Sequence, residues 1–181
     1  MEKRKSYRDR FFEDNEYVKE PANNIRGYRI RLNYTGRWVS YIGRSYSLRT
    51  YKFLMIIAEI LSILIYFISA VRDVEVNEVM LSAGFGTLSI IPWIVEIYEV
   101  VRFAFTGDKV KALTSDEITG GLRIACWSRV ILLVISAIVS LFAVIFFGGF
   151  TLSCGISTAG IIVSGLLSLF IYKIYNSLLI Q

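Results

Sequence analysis

Apolar positions in this chain gather into long runs separated by charged segments, and those runs set the first expectations. From Val130 to Tyr172 no residue is charged. At roughly 1.5 Å per residue, such a stretch crosses a hydrocarbon core of about 30 Å twice, with a tight turn near Gly148 and Gly149. Phe53 to Val71 and Val79 to about Val101 are two further runs of spanning length. The pattern predicts an all-α integral membrane protein. Its four transmembrane helices fall at about 53–71, 79–102, 127–148 and 152–173, in an up-down-up-down bundle, so that residues 53–181 form the transmembrane domain and residues 1–52 an N-terminal arm.

Within the arm the period changes. Tyr28, Ile30, Leu32 and Tyr34 alternate with Arg29, Arg31 and Asn33; Thr35 and Gly36 supply a turn, and Trp38, Val39, Tyr41 and Ile42 resume the apolar pattern. A short cytoplasmic β-hairpin across about 27–43 is expected. Because an isolated hairpin is marginal in water, its apolar face needs the membrane surface, the helix ends or another protein. Upstream, Met1 to Glu20 mixes both charge signs and ends at Pro21, which suits a short helix or an unstructured segment. A basic strand ending in Tyr34, Thr35, Gly36, Arg37 and Trp38, then a polar-aromatic linker and four spans, resembles families of small four-span bacterial membrane proteins of uncharacterised activity. That resemblance implies the fold alone.

Composition agrees, with 55% of the 181 residues hydrophobic, too many for an ordinary soluble domain. Charge adds an orientation. Up to Lys52 there are 13 Lys and Arg against 6 Asp and Glu, an excess of seven in a chain whose net charge is +5. The first loop, Arg72 to Glu78, is acidic, whereas the second, from Arg102 to Arg129, carries Arg102, Lys109, Lys111, Arg123 and Arg129. The third loop is uncharged and the last span ends in Lys173. The positive-inside rule then places both termini in the cytoplasm, in the inner, cytoplasmic membrane of a bacterial-type cell. The basic excess also favours anionic lipid headgroups as partners, and no nucleic acid, since a soluble basic face with stacking aromatics is missing. No cleavable signal peptide is recognisable in the N-terminal residues, so the first span is the expected targeting element.

Polar residues interrupt the spans in register. Glu59, Ser62, Tyr66 and Ser69 follow a 0, 3, 7, 10 spacing, one face of a helix, and Ser89, Pro92, Glu96 and Glu99 repeat it. In antiparallel neighbours Glu59, Glu96 and Glu99 fall in one layer, where facing carboxylates would retain at least one proton. Two readings stand at this point. One is an intramembrane cation or proton site of Glu59 and Glu96, with Ser62, Tyr66 and Ser89 as further ligands and Glu99 as its weakest member. The other pairs the acids with Arg102, Arg123, Arg129 and Lys173. Pro92 and the Gly84 to Gly86 segment are expected to bend the second span. Ser136, Ser140 and Ala143, and Ser153, Ser157, Gly160, Ser164 and Ser168, form small-residue faces that suit a close hairpin of the last two spans.

Catalytic groups are sparse. The chain has no histidine and two cysteines, which at opposite ends of the spans cannot build a zinc site, so no metal and no cofactor is expected. "SDEITGG", Ser115 to Gly121, reads as a capped loop or helix start before a break. A non-catalytic accessory, regulatory or assembly partner of a membrane complex is the leading expectation, with a membrane-protein partner or a second copy as its target. The alternative is an oligomeric cation- or proton-coupled small transporter or channel using Glu59 and Glu96.

Overall fold

The computed structural model describes residues 15–21, 27–71, 80–147 and 151–181. The acidic first loop and the turn at Gly148 and Gly149 therefore lie outside the described residues, as do residues 1–14. Five helices account for most of the rest: α1 (Leu48–Ala70), α2 (Met80–Leu88), α3 (Ile90–Phe105), α4 (Ala112–Phe147) and α5 (Leu152–Asn176). Taking α2 and α3 as one broken rod, four helices are long and apolar enough to cross a membrane.

Each helix has a local reason to start or stop. Ser47 caps α1, its hydroxyl accepting from the Thr50 amide at 3.3 Å, and Thr151 caps α5 by accepting from the Cys154 amide at 3.2 Å. The second rod breaks at Ser89, one turn upstream of the Pro92 that was expected to bend it. Pro92 has no N–H to offer the Leu88 carbonyl, and the Ser89 hydroxyl turns back to donate to the Gly86 carbonyl at 2.6 Å.

Polarity in the helices is turned outside in. α1 buries Tyr51, Met55, Ala58, Glu59, Ser62, Tyr66 and Ser69 while leaving Phe53, Ile60, Leu64, Phe67 and Ile68 exposed. α5 likewise buries Ser157, Ser164 and Ser168 and exposes Ile162, Leu166 and Phe170. Such a surface suits hydrocarbon and would be a liability in water. Close approach follows from the small residues. A Cβ on Gly160 would lie 1.9 Å from Ser69 Oγ, and the Ser157 hydroxyl donates to the Ser69 carbonyl at 2.7 Å, so α1 and α5 pack with only small side chains between them.

This corrects the expected use of the serine faces. α4 and α5 do pack together, with Gly165 against Leu133. The serines, however, do not bond one another across that hairpin: Ser157 and Ser164 of α5 bond α1, and Ser136 and Ser140 of α4 bond Ser82 of α2. Hydroxyls on one helix are satisfied best by hydroxyls and carbonyls at matching heights on another, and the serine stripes of α1 and α2 offer them.

A small sheet covers one end of the bundle. Its centre is β3 (Trp38–Gly43), antiparallel to β4 (Lys109–Lys111) through Val39 and Val110 and to β5 (Leu178–Ile180) through Ile42 and Leu179. β3 leads into α1, β4 joins α3 to α4 and β5 follows α5, so four helix ends converge there. Beneath it Val39, Tyr41 and Val110 join Met55, Phe103, Ile118, Leu122 and Tyr175 in the main apolar core. Tyr41, Phe103 and Tyr175 meet edge to face, with centroids 5.2–6.2 Å apart.

The expected hairpin across 27–43 does not form. Both of its strands exist, but β2 (Tyr28–Tyr34) pairs with β1 (Asn15–Pro21), which overturns the helix or unstructured reading of that segment. A strand has two edges, and β4 and β5 occupy both edges of β3. The Tyr34 hydroxyl, donating to the Arg37 carbonyl at 2.8 Å, then closes the corner between the two sheets. The "SDEITGG" segment is likewise continuous helix within α4, which runs through Gly120 and Gly121 without a break. Gly121 lies against α3, where a Cβ would come within 2.7 Å of Glu99 Oε1. Those glycines serve packing between helices and not chain reversal.

Candidate functional site

The polar stripes of α1, α3, α4 and α5 converge at mid-bundle on Arg129. Its side chain and that of Glu96 are both 0% exposed, with Nη1 3.3 Å from Glu96 Oε2. Nη1 also donates to Ser168 Oγ at 2.7 Å, and Nη2 donates to Ser62 Oγ at 2.9 Å and Ser164 Oγ at 2.8 Å. Each serine passes the interaction on. Ser168 donates to Glu96 Oε2 at 3.0 Å, Ser62 to the Ser164 carbonyl and Ser164 to the Ser62 carbonyl, both at 3.2 Å. A guanidinium without water must spend its N–H groups on protein acceptors, and this ring supplies four.

Trp93 ties in the remaining carboxylate. The Arg129 guanidinium lies over its ring, 4.0 Å from the centroid, and the indole Nε1–H donates to Glu59 Oε1 at 2.7 Å. Glu59 Oε2, Glu96 Oε1 and Arg129 Nε have no hydrogen-bond partner although they are buried. Glu59 and Glu96 therefore meet in one cluster with Ser62, and Arg129 is its centre. Sequence reasoning had placed Arg129 at the end of a cytoplasmic loop. The structure corrects this: α4 begins at Ala112, which carries Arg129 deep into the bundle. A signal for that position existed. Cys126, Arg129, Leu133, Ser136 and Ser140 fall at 0, 3, 7, 10, 14, and all five are buried on one face of α4.

The other candidates separate into two levels. Toward the sheet, Glu99 Oε2 lies 3.7 Å from Arg102 Nη1, and Arg102 also pairs with Glu117. Arg123 and Lys173 are exposed. Away from the sheet, the Tyr66 hydroxyl donates to the Gly86 carbonyl at 2.7 Å, the same carbonyl that accepts from Ser89. Tyr66 and Ser89 thus bond the helix break and not a carboxylate. Tyr66 is wedged edge-on against Trp93, centroids 5.2 Å apart, and its far side lines a cavity of about 120 Å³ with Ser82, Gly86, Ser136 and Ile161. Trp93, Ser164 and Ser168 are the members that sequence reasoning missed as part of this site. In the sequence those two serines read as packing residues.

Among the described residues no group of three or more His, Cys, Asp or Glu side chains could hold a metal ion. What the cluster can do is hold charge: two carboxyls and one guanidinium, braced by the Ser62 hydroxyl of α1 and the Ser164 and Ser168 hydroxyls of α5. No family model, curated protein or solved structure matches the chain.

Proposed function

We propose that this chain is a non-catalytic integral membrane protein that serves as an accessory or assembly partner of a membrane complex. In this reading the sheet-covered end lies in the cytoplasm of a bacterial-type inner membrane, since the basic residues gather there. The observation that carries it is the β1–β2 ribbon. Tyr17 and Ile30 are 55% and 57% exposed on one face of a two-stranded sheet whose other face carries Arg29 and Arg31, paired with Glu20. A two-stranded sheet with uncovered apolar residues is incomplete by itself. Its basic and aromatic surface fits an acidic, partly apolar segment of another protein.

A photo-crosslinking residue at Tyr17 or Ile30, activated in native membranes, tests this. A discrete protein adduct that disappears when Arg29 and Arg31 are both changed to Glu supports the reading. Adducts to lipid alone put this arm on the headgroups and remove the argument for a protein partner.

The two partnerless carboxylate oxygens and the helix break at Ser89 favour a second reading, an oligomeric proton- or cation-coupled transporter or channel. Four helices make a narrow path, so this version needs self-association. Flux into liposomes, measured for the full chain and for Glu59→Gln and Glu96→Gln, discriminates: absent or unchanged flux removes it.

A further inference from the structure

We propose that Glu59 and Glu96 hold one proton between them, bonded to Glu59 Oε2 and donated to Glu96 Oε1, as a permanent constituent of the folded protein. Both carboxyls belong to one buried cluster: Glu59 Oε1 accepts from Trp93, whose ring the Arg129 guanidinium covers, and Arg129 pairs with Glu96. In each, the oxygen that these contacts leave over, Glu59 Oε2 and Glu96 Oε1, is buried without a donor. Two carboxylate oxygens cannot bond each other until one carries hydrogen, and a single proton satisfies both.

Charge balance gives the same number. From α1 the cluster receives Glu59 and the Ser62 hydroxyl; from α3, Glu96 and the Trp93 indole; from α4, Arg129, with Cys126 buried one turn away; from α5, the Ser164 and Ser168 hydroxyls. Two ionised acids and one guanidinium leave one negative charge in excess, and one proton cancels it. Glu96 stays ionised because it faces Arg129 and Ser168. The neutral acid is therefore Glu59, whose other oxygen already accepts from Trp93. A metal ion is excluded by its appetite: hard cations take about six or more oxygen ligands, and the hydroxyls here are committed to Arg129. The proton is also walled in, because the cavity ends at Tyr66 and Tyr66 abuts Trp93. Exchange with water should be slow.

The proposal deepens the transporter reading by naming the ion, and it rests only on that reading's carboxylate pair, not on any movement of charge. Infrared spectroscopy of the full chain in lipid nanodiscs near neutral pH tests it. The expected signature is the carbonyl stretch of a protonated carboxylic acid. It shifts on glutamate-specific ¹³C labelling, exchanges slowly in D2O, and is lost in Glu59→Gln, whose amide takes the place of the protonated acid. Absence of the band in the wild type overturns the proposal whether or not any variant folds. So does a band that survives Glu59→Gln, or a thermal transition that rises with sodium at constant ionic strength. Liposome flux is a separate readout: a slowly exchanging band without flux keeps the proton and removes transport.

Discussion

Arg129 Nη1 lies 3.3 Å from Glu96 Oε2 with both side chains fully buried, and the same guanidinium donates to serines of α1 and α5. Removing the guanidinium would leave two carboxyls and three hydroxyls facing one another. Arg129→Met is expected to cost about 3–5 kcal/mol, the usual penalty for breaking a buried pair from one side. The penalty should shrink in acid, where Glu96 takes up a proton as well and no charge is stranded. Unfolding midpoints in mild detergent at neutral and acid pH check both statements. Arg129→Lys should recover part of the loss, since an ammonium has three donors and cannot span the four acceptors.

Trp93 acts on both charges, so its ring and its N–H can be separated. Trp93→Phe keeps an aromatic face for Arg129 but removes the donor to Glu59 Oε1. The expected cost is about 1–3 kcal/mol for a buried acceptor left unpaired. Trp93→Leu should cost more, because the cation–π attraction goes too. Comparison of the three unfolding curves decides.

Gly160 of α5 lies against Ser69 of α1, where an added Cβ would fall 1.9 Å from Ser69 Oγ. Gly160→Ala is expected to destabilise by about 1–3 kcal/mol through overpacking. Ser69→Gly in the same chain should return most of that, a coupling that a double-mutant cycle reads directly. If the two effects simply add, the close approach is not what limits this position.

The β1–β2 ribbon predicts the opposite behaviour. Tyr17→Ser and Ile30→Ser remove exposed apolar groups that support no core, so stability should move by no more than about 0.5 kcal/mol. Partner crosslinking, by contrast, should fall sharply. A large loss of stability would mean that the ribbon is a structural part of the fold.

Several of these elements were legible in the order of residues. Long apolar runs marked four helices because each needs about 20 predominantly apolar positions, and the 0, 3, 7, 10 spacing of Glu59 with Ser62 and of Glu96 with Ser89 marked the faces that turn inward. Strand content around Tyr28 to Gly43 was legible from its alternation, but partner choice was not. Antiparallel edges accept any strand of matching register, so only the arrival of Lys109–Lys111 and Leu178–Ile180 at the same helix ends decided that β3 would leave β2 to β1. Arg129 was misplaced for a related reason. A charge near the start of an apolar run looks terminal until the helix is known to begin at Ala112.

By itself, then, the sequence determined the solvent these helices suit, their number and which face of each is polar, because those properties depend on length and on the fixed 3.6-residue turn. Only the tertiary structure decided what the polar faces meet. Glu59, Glu96, Arg129, Ser164 and Ser168 lie on four different helices, and whether a buried charge finds an arginine, a hydroxyl or a proton depends on the rotation and height at which those helices pack. No single helix carries that information; it arises from the close approaches at Gly121, Gly160 and Gly165, which set the distances between them.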